Sequence, residues 1–588
     1  MKIKQIGTYN GDIISTILEN RKVEDIELFY NPTNEHDLNA FKIKNMRQGA
    51  EVLLAHLLIG NEIGILVDPD ADGFTSASII YQYIKKIEPN AKLRYFLHDN
   101  KAHGLTEKIM EQVANSPLDL LVIPDAASND EAGIQRLYHM GMDLLIIDHH
   151  EVEKVPSHGI IINNQLDWNI DTNKNLVGAG MAFKFCQALD EILSYHHSEE
   201  MYDLVAIGQV GDASDISQNE VRNMVFKGLR TLNNPFIRVV LEDRFEDLTS
   251  IAPIDLSFSI IPLINSIVRV GTMEEKDLLF RALNSIDVEE TFTVTRRKKN
   301  KVTGKMDKYE LVLNFYEYAY HICTKVKTRQ DGLVKKTMAA LEKDIDNSGG
   351  IAIGILETSE HGSITGLVAN KIASKLQKPV LLVHHVNGKY VGSGRGYEKS
   401  LPSLKDWCNE TELVEFAQGH ANAFGISIFE EDFEKFKEQT KNVEKREFIY
   451  EVDLHLHGKI DKNAISDVNS NKHLFGGKVR EPLFAFTGIK VRKDFIRQRG
   501  SMLTFFDRGI EFVMYGAPAG LFESLTYNFE PYIEMNFVGR PSENNWGGRI
   551  TTQIVLSDCS KGKEVEIIKE DGIFEQIEEE ITAATLVF

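Results

Sequence analysis

From Ile63 onward, short apolar runs alternate with amphipathic stretches. The runs "IGILV", "LRYFL", "LDLLVI", "DLLII" and "GIIIN" have the length of buried strands, and "TSASIIYQYIKKI" and "DEAGIQRLYHMG" between them space their apolar residues as helices do. This alternation predicts a parallel sheet covered by helices. Two further stretches, "VGAGMAFKFCQALDEIL" and "MYDLVAIGQVGDASD", read as helices with small residues where backbones approach. Residues 289–345 are charged and mostly helical in pattern, which predicts a linker. Beyond it "GGIAIGILE" and "KPVLLVHH" flank the helical "TGLVANKIASKL", predicting a second α/β domain over 346–446. After Glu447 the pattern becomes short alternating strands with turn signals, as in "EFIYEVDLHLHG" and "RITTQIVLSD", which predicts a small barrel over 447–560 and an acidic tail over 561–588.

Composition adds bounds to this outline. A chain of 588 residues exceeds one core and suggests about three or four domains. No apolar run approaches the ~20 residues of a membrane span, and "MKIKQIGTYNGDIIS" lacks the apolar core of a signal peptide. Cys186, Cys323, Cys408 and Cys559 are far apart and form no CxxC pair, which fits a reducing cytoplasm. A formal charge of -21 argues against nonspecific coating of nucleic acid, yet carboxylates gathered for metal inflate that count. The basic stretch "TRRKKNK", Thr295 to Lys301, reads either as a solvated loop or as a contact to phosphates.

Candidate chemistry lies at strand ends. In open α/β sheets ligands bind beyond the carboxyl ends of the strands. "IGILV" runs into "DPDADG", with Asp68, Asp70 and Asp72; "LDLLVI" runs into Asp125; "DLLII" runs into Asp148, His149 and His150. Each piece has an ordinary reading: a polar turn, a helix cap, a solvated loop. Their arrival at successive strand ends makes coincidence improbable. Acids this dense repel unless a cation holds them. Carboxylates with imidazole suit manganese, magnesium or zinc, and the absence of nearby thiols weighs against a structural zinc site. Asp212 in "QVGDASD" extends the set beyond the needs of one ion, pointing to two metals and to phosphoryl chemistry.

Assembled, "DPDADG", "VIPDA", "IDHH" and "QVGD" resemble the motifs of the DHH phosphoesterase superfamily, and the chain looks most like its RecJ-like single-strand-specific 5′→3′ DNA exonucleases. "FYNPTNEHDLNAFKIKNM" resembles that family's lead-in, "LVGAGMAFKFCQAL" its core helix and "IPLINSIVRVG" its substrate-bordering segment. "GSGRG" and "QGHANAFG" resemble the DHH-associated domain, and "NFVGRPSENNWGGRITTQIVLSD" the oligonucleotide-binding barrel. The resemblance implies an α/β fold: a parallel-sheet DHH domain with its lead-in over 1–288, a DHH-associated α/β domain and a C-terminal OB-like β-barrel. It also implies a metal-dependent hydrolase releasing 5′ mononucleotides from single-stranded DNA in repair or recombination.

Residue by residue, the resemblance implies that Asp125 bridges two divalent ions, manganese first and magnesium second. Asp68 and Asp70 serve one ion; Asp72, His149 and Asp212 serve the other. Many relatives carry a His where Leu66 stands, so Asp68 is taken as the substitute. His150 would face the scissile phosphate, with Asp148 orienting its neighbours. Asn265, Ser266 and Arg269 would border the substrate, and His361, Ser363, Arg395 and His420 would hold the strand. "FLHDNKAHGL" departs from the family's Pro-Asn-Arg turn, so Lys101 or His103 would take over at the 5′ end. Trp546 is the aromatic best placed to stack on a base. A monomer acting in the cytoplasm, with a helicase or single-strand-binding partner and no membrane, completes the expectation. Two other readings compete: a small-nucleotide phosphodiesterase, which needs no C-terminal barrel, and an inactive replication scaffold, which needs no intact acidic set.

Overall fold

The computed structural model describes residues 1–166, 172–299, 306–341, 344–357, 363–397, 400–443, 448–477, 479–518, 520–527, 530–546, 549–562 and 565–568, and divides into two compact units. The first to consider spans Asp25–Leu333 with His473–Arg480. Its sheet is built from β1 (Glu62–Val67), β2 (Lys92–Leu97), β3 (Leu120–Pro124), β4 (Asp143–Asp148) and β5 (Ile160–Asn163). All pairings are parallel, in the order β2-β1-β3-β4-β5. Helices α1 (Ala71–Ile87), α2 (Glu107–Ala114) and α3 (Glu131–His139) provide the crossovers. The central strands bury nearly every residue because helices cover both faces, hence their continuous apolar runs. One face packs Leu66, Phe96, Ile123, Ile146 and Ile161 against Ile109 and Ile134. Strand order reverses between β1 and β3, and the crevice beyond their carboxyl ends is where such sheets bind ligands.

Helices α4 (Gly178–Leu193), α5 (Tyr202–Gly211) and α6 (Ile260–Val270) complete the site-bearing layer. Pro253–Val270 is long and apolar enough to cross a membrane, but it breaks at Ser259 and is 56% buried, as a core helix is. Lys184 on α4 is buried; its Nζ pairs with Glu220 and donates to the Leu38 carbonyl at 2.5 Å. Glu220 also accepts from the Leu38 N–H at 3.0 Å and from Asn173 at 3.1 Å. This internal pair ties the segment before the sheet to the helical layer.

The linker expectation is corrected in a stretch that begins in this unit and continues past Leu333 into the other. Residues 289–345 are not helical throughout: β6 (Phe292–Lys299) and β7 (Met306–Leu313) form an antiparallel hairpin before the helix α7 (Phe315–Leu341). β-branched residues and period-two alternation in "FTVTRR" and "YELVL" favour strands over the helix that the charge suggested.

The second unit comprises Met1–Glu24, Val334–Lys472 and Glu481–Phe588. Its five-stranded sheet contains β8 (Ala352–Leu356), β9 (Val380–Val386), β10 (Lys389–Arg395), β11 (Phe416–His420) and β12 (Ala423–Phe429), ordered β11-β12-β10-β9-β8. The C-terminal strands form a seven-stranded sheet whose edges are Leu454–His457 and Arg497–Arg499. Among the described residues no pairing joins those edges, so the sheet is open and the expected closed barrel is not seen. The lead-in boundary also shifts. Lys2–Gln5 lies between Ile449–Val452 and Glu566–Ile568 in a three-stranded sheet, parallel to both, so the first 24 residues group with the C-terminal part rather than the DHH domain. The same pairing makes Glu566–Ile568 a strand within the expected tail; residues 569–588 lie outside the described residues. Pairing between segments so distant leaves no local sequence signal. Arg21 locks the arrangement with bonds of 2.6 and 2.9 Å to the buried Asp453.

Replacing Lys184 by Met should leave Glu220 buried without its cation and cost about 3–5 kcal/mol, lowering the denaturation midpoint. Adding Glu220→Gln should recover more than half of that loss, as read by guanidinium titration of both variants.

Candidate metal centre

At the carboxyl end of β1 the chain turns through Asp68–Asp72 into α1. Asp70 caps that helix, accepting from the Gly73 N–H at 2.9 Å. Asp72 follows within the first turn, and its buried carboxylate accepts from the N–H groups of Gly178 at 2.6 Å and Ala179 at 2.8 Å. The amino terminus of α4 therefore faces this carboxylate and stabilises its charge. Asp125, directly after β3, adopts φ +66, a left-handed conformation that Asp tolerates better than most residues. A Cβ on Gly178 would stand 2.3 Å from the Asp125 Oδ1, and one on Gly208 2.5 Å from the Asp72 Oδ1. Glycine at both places lets two helices close on the acids.

The end of β4 divides the roles of its three polar residues. Asp148 Oδ1 accepts from the N–H of His149 at 2.7 Å, the N–H of His150 at 3.2 Å and the His150 ring Nδ1 at 2.8 Å; its Oδ2 accepts from the Ser128 N–H at 3.0 Å. Both oxygens are thus committed to holding the neighbouring backbone and ring. His149 Nε2 points instead at Asp125 Oδ1 (3.1 Å), Asp212 Oδ2 (3.7 Å) and Asp72 Oδ2 (3.8 Å). Asp212 reaches this point from the carboxyl end of α5.

Burial, aided by the charge of His150, pushes His149 down to about 4, so its ring is neutral near pH 7. The Nε2 of this neutral ring and the Asp125 Oδ1 then face each other 3.1 Å apart, and that buried oxygen makes no hydrogen bond. A proton or a metal cation between them would satisfy both atoms, and the further acids Asp72 and Asp212 on the same point favour the metal. Burial raises Asp72 and Asp125 well above the ordinary carboxylate range, and neighbouring acids, Asp212 and Asp70 for the first and Asp72 and Asp70 for the second, add to it. A divalent ion would reverse that penalty, and the donor set of carboxylates with one imidazole fits manganese or magnesium. His150 contrasts with its neighbour. Its bond to Asp148 outweighs burial and raises it to about 9, while burial of Asp148 is outweighed by His150 and His149, which hold that carboxyl below its usual range.

A second group forms around Asp68, which is buried while Asp70 is half-buried. His103 Nδ1 lies 2.5 Å from Asp68 Oδ2, and the Gly104 N–H donates to Oδ1 at 3.0 Å. Asp68, Asp70 and His103 are close enough to share an ion. The sequence reading gave His103 to the 5′ end; the structure sets it against the acids. The backbone donors Gly178, Ala179 and Ser128 had no signature in the sequence beyond the small-residue stretch "VGAGM".

Among the expected substrate contacts, Asn265 and Arg269 share one half-buried face of α6, and the charge of Asp70 acts on Arg269, whose pKa burial lowers. Ser266 is corrected: it is fully buried and donates to the Leu263 carbonyl at 2.8 Å, because one residue of rotation turns it into the core. Lys101 is exposed on the same loop as His103. In the other unit Arg395 and His420 both pair with Ala423, from its two sides, with His420 exposed and Ser363 half-buried. His361 and the side chain of Trp546 lie outside the described residues.

Residues 62–209 match the model of the DHH family, N-terminal domain. Across 97% of its length the chain is 33% identical to a protein of Bacillus subtilis (strain 168) named as an SPbeta prophage-derived single-strand DNA-specific exonuclease, YorK, and it covers the whole of that relative. It is 24% identical to the single-stranded-DNA-specific exonuclease RecJ of Thermus thermophilus, over 89% of this chain and 72% of that one. The crystal structure of RecJ in complex with Mn²⁺ from Thermus thermophilus aligns with a TM-score of 0.71 at 20% identity, covering 96% of this chain and 80% of that one; the two share a fold.

Removing His149 should expose the division of labour at the end of β4. His149→Ala is expected to weaken Mn²⁺ binding by more than about 100-fold, beyond the usual effect of losing a residue that only supports a ligand. His150→Ala should leave Mn²⁺ affinity within a few-fold, and calorimetric titration of both variants distinguishes them; equal weakening would contradict the assignment.

Proposed function

The chain belongs to the RecJ-like DHH family of single-strand-DNA-specific exonucleases, and from that premise we propose that it shortens single-stranded DNA from the 5′ end, releasing 5′ mononucleotides with the help of two divalent ions. One observation carries the reading: His149 Nε2 and the unbonded Asp125 Oδ1 face each other 3.1 Å apart at the switch point of a parallel sheet, with Asp72 and Asp212 on the same point. Asp125 would bridge the ions, with Asp72, His149 and Asp212 holding one and Asp68, Asp70 and His103 the other. Bound there, divalent cations supply Lewis-acid charge for an in-line displacement at phosphorus.

The protein's own groups do the rest. Asp148 fixes the ring of His150 through Nδ1, leaving the other ring nitrogen of a protonated imidazole to donate to a non-bridging oxygen or to the departing one. Arg269, close to Asp70 on a half-buried face, is suited to a phosphate that must not sit in open water. Helix α4 holds Asp72 rigidly, so that the ligand set is formed before substrate arrives. In the second unit Arg395, His420 and Ser363 would follow the strand backbone. The exposed Phe506, on a strand of the C-terminal sheet, and Tyr515, in the turn after Ile510–Met514, would stack on bases. The setting that fits is DNA repair or recombination in a reducing cytoplasm, in agreement with four buried free thiols.

The test uses the full chain with Mn²⁺ or Mg²⁺, single-stranded DNA labelled at either end, a blunt duplex and a dinucleotide. A 5′ label should appear at once as mononucleotide from the single strand, a 3′ label only late, and the duplex should be spared. Asp125→Asn should lower the rate more than about 100-fold. Cleavage confined to the dinucleotide, or prompt release of the 3′ label, would refute the reading.

A further inference from the structure

The β6–β7 hairpin is a strongly basic element, in a chain of charge -21, that the site does not use. Its sixteen strand residues carry five Lys or Arg (Arg296, Arg297, Lys298, Lys299 and Lys308) against two acids, Asp307 and Glu310, all in the distal part, with Asp307 registered opposite Lys298. No third strand pairs with the hairpin among the described residues, and Arg296, Arg297, Lys308 and Tyr309 are exposed. Two eight-residue strands give an arm about 25 Å long.

Only the root is packed. Phe292 stacks on Tyr318 of α7 with ring centroids 3.9 Å apart, and Leu313 and Phe315 are buried. The distal part has the opposite character. Arg297 stands directly opposite Lys308, two like charges on one face, an arrangement that weakens a two-stranded ribbon already marginal without further strands. Arg296 stands opposite Tyr309, which sets a guanidinium beside an exposed ring. A self-repelling cationic arm with an aromatic face is matched by a polyanion that also offers rings.

The root shows which side it serves. One cavity is lined by Tyr95, Phe96 and Leu97 of β2 together with Phe292, Phe315 and Tyr318. β2 is one of the two edge strands of the catalytic sheet, and past Leu97 the chain enters the loop that brings His103 to Asp68. We propose that the β6–β7 hairpin is a second nucleic-acid-binding element, a basic ribbon that grips the phosphate backbone on the His103 side of the catalytic sheet, away from the bond being cut. The choice of polyanion rests on the DNA-cleaving reading of the site. A two-stranded ribbon also fits a duplex groove, so the backbone held is either the single strand itself or a flanking duplex.

The experiment compares the full chain with an Arg296→Gln/Arg297→Gln/Lys308→Gln variant. Binding to a long single strand and to a 5′-tailed duplex is followed by fluorescence anisotropy in EDTA between 50 and 200 mM salt, concentrations over which phosphate contacts are read out as a slope. The variant should bind about tenfold more weakly, with a plot of log affinity against log salt shallower by about 2. Its kcat on a saturating short oligonucleotide should stay within about twofold. Because the change removes the Arg297–Lys308 repulsion, its Tm should hold or rise, an outcome that a merely structural role would reverse. Loss on the tailed duplex alone assigns the duplex flank; loss on both assigns the strand. Unchanged affinity and slope on both DNAs, a lowered Tm, or an equal loss on the short oligonucleotide would overturn the ribbon. If the unmodified chain binds neither DNA, the proposed function falls and the ribbon with it.

Discussion

Asp72 and Asp125 are almost wholly withdrawn from water, and Asp68 with them, within one turn and one strand spacing of each other. Isolated carboxylates in such a place would take up protons rather than stay charged. Much of the catalytic unit can be understood as the means of keeping them there. The amino terminus of α4 donates two N–H groups to Asp72, glycines at 178 and 208 let that helix and α5 come close enough to matter, and a neutral His149 adds no charge of its own. What the backbone does not neutralise is left for cations.

The three residues after β4 show how one short stretch is made to do different work. They differ by only one position each, yet Asp148 is spent on internal bonds, His149 looks inward to the acids and His150 carries a proton toward solvent. The opposite displacements of the two imidazoles follow from the same source: burial dominates one ring, and a carboxylate bonded to Nδ1 dominates the other. Substituting Asp148 therefore disturbs the charge of His150 and the backbone support of His149 together.

The strands that carry this site were legible because each is a local pattern: an apolar run of buried-strand length followed at once by acids or imidazoles. β1, β3 and β4 and their terminal residues follow directly from that pattern. What escaped was non-local or carried by backbone. The pairing of Lys2–Gln5 with strands near residues 450 and 567 has no trace in neighbouring sequence. The donors of Gly178 and Ala179 bear no side chain to notice, and His103 is recognisable only once its loop folds onto Asp68. Ser266 was misread for a simpler reason, since a helix turns adjacent residues about 100° apart and its neighbour Asn265 took the outward face. The basic stretch of β6 was visible as charge but not as a ribbon, because charge said helix or loop while the β-branched positions said strand.

The strand at Lys2–Gln5 has a consequence for how the molecule comes into being. Its two partners are made some 450 and 560 residues later, so during synthesis at about 5–20 residues per second the earliest strand waits on the order of a minute for company. The unit of Asp25–Leu333 needs only His473–Arg480 from later in the chain, so it can reach its native state while translation continues. The order of birth is thus the reverse of the order of completion: the nuclease sheet matures first, and the segment that emerges first is among the last to find its place.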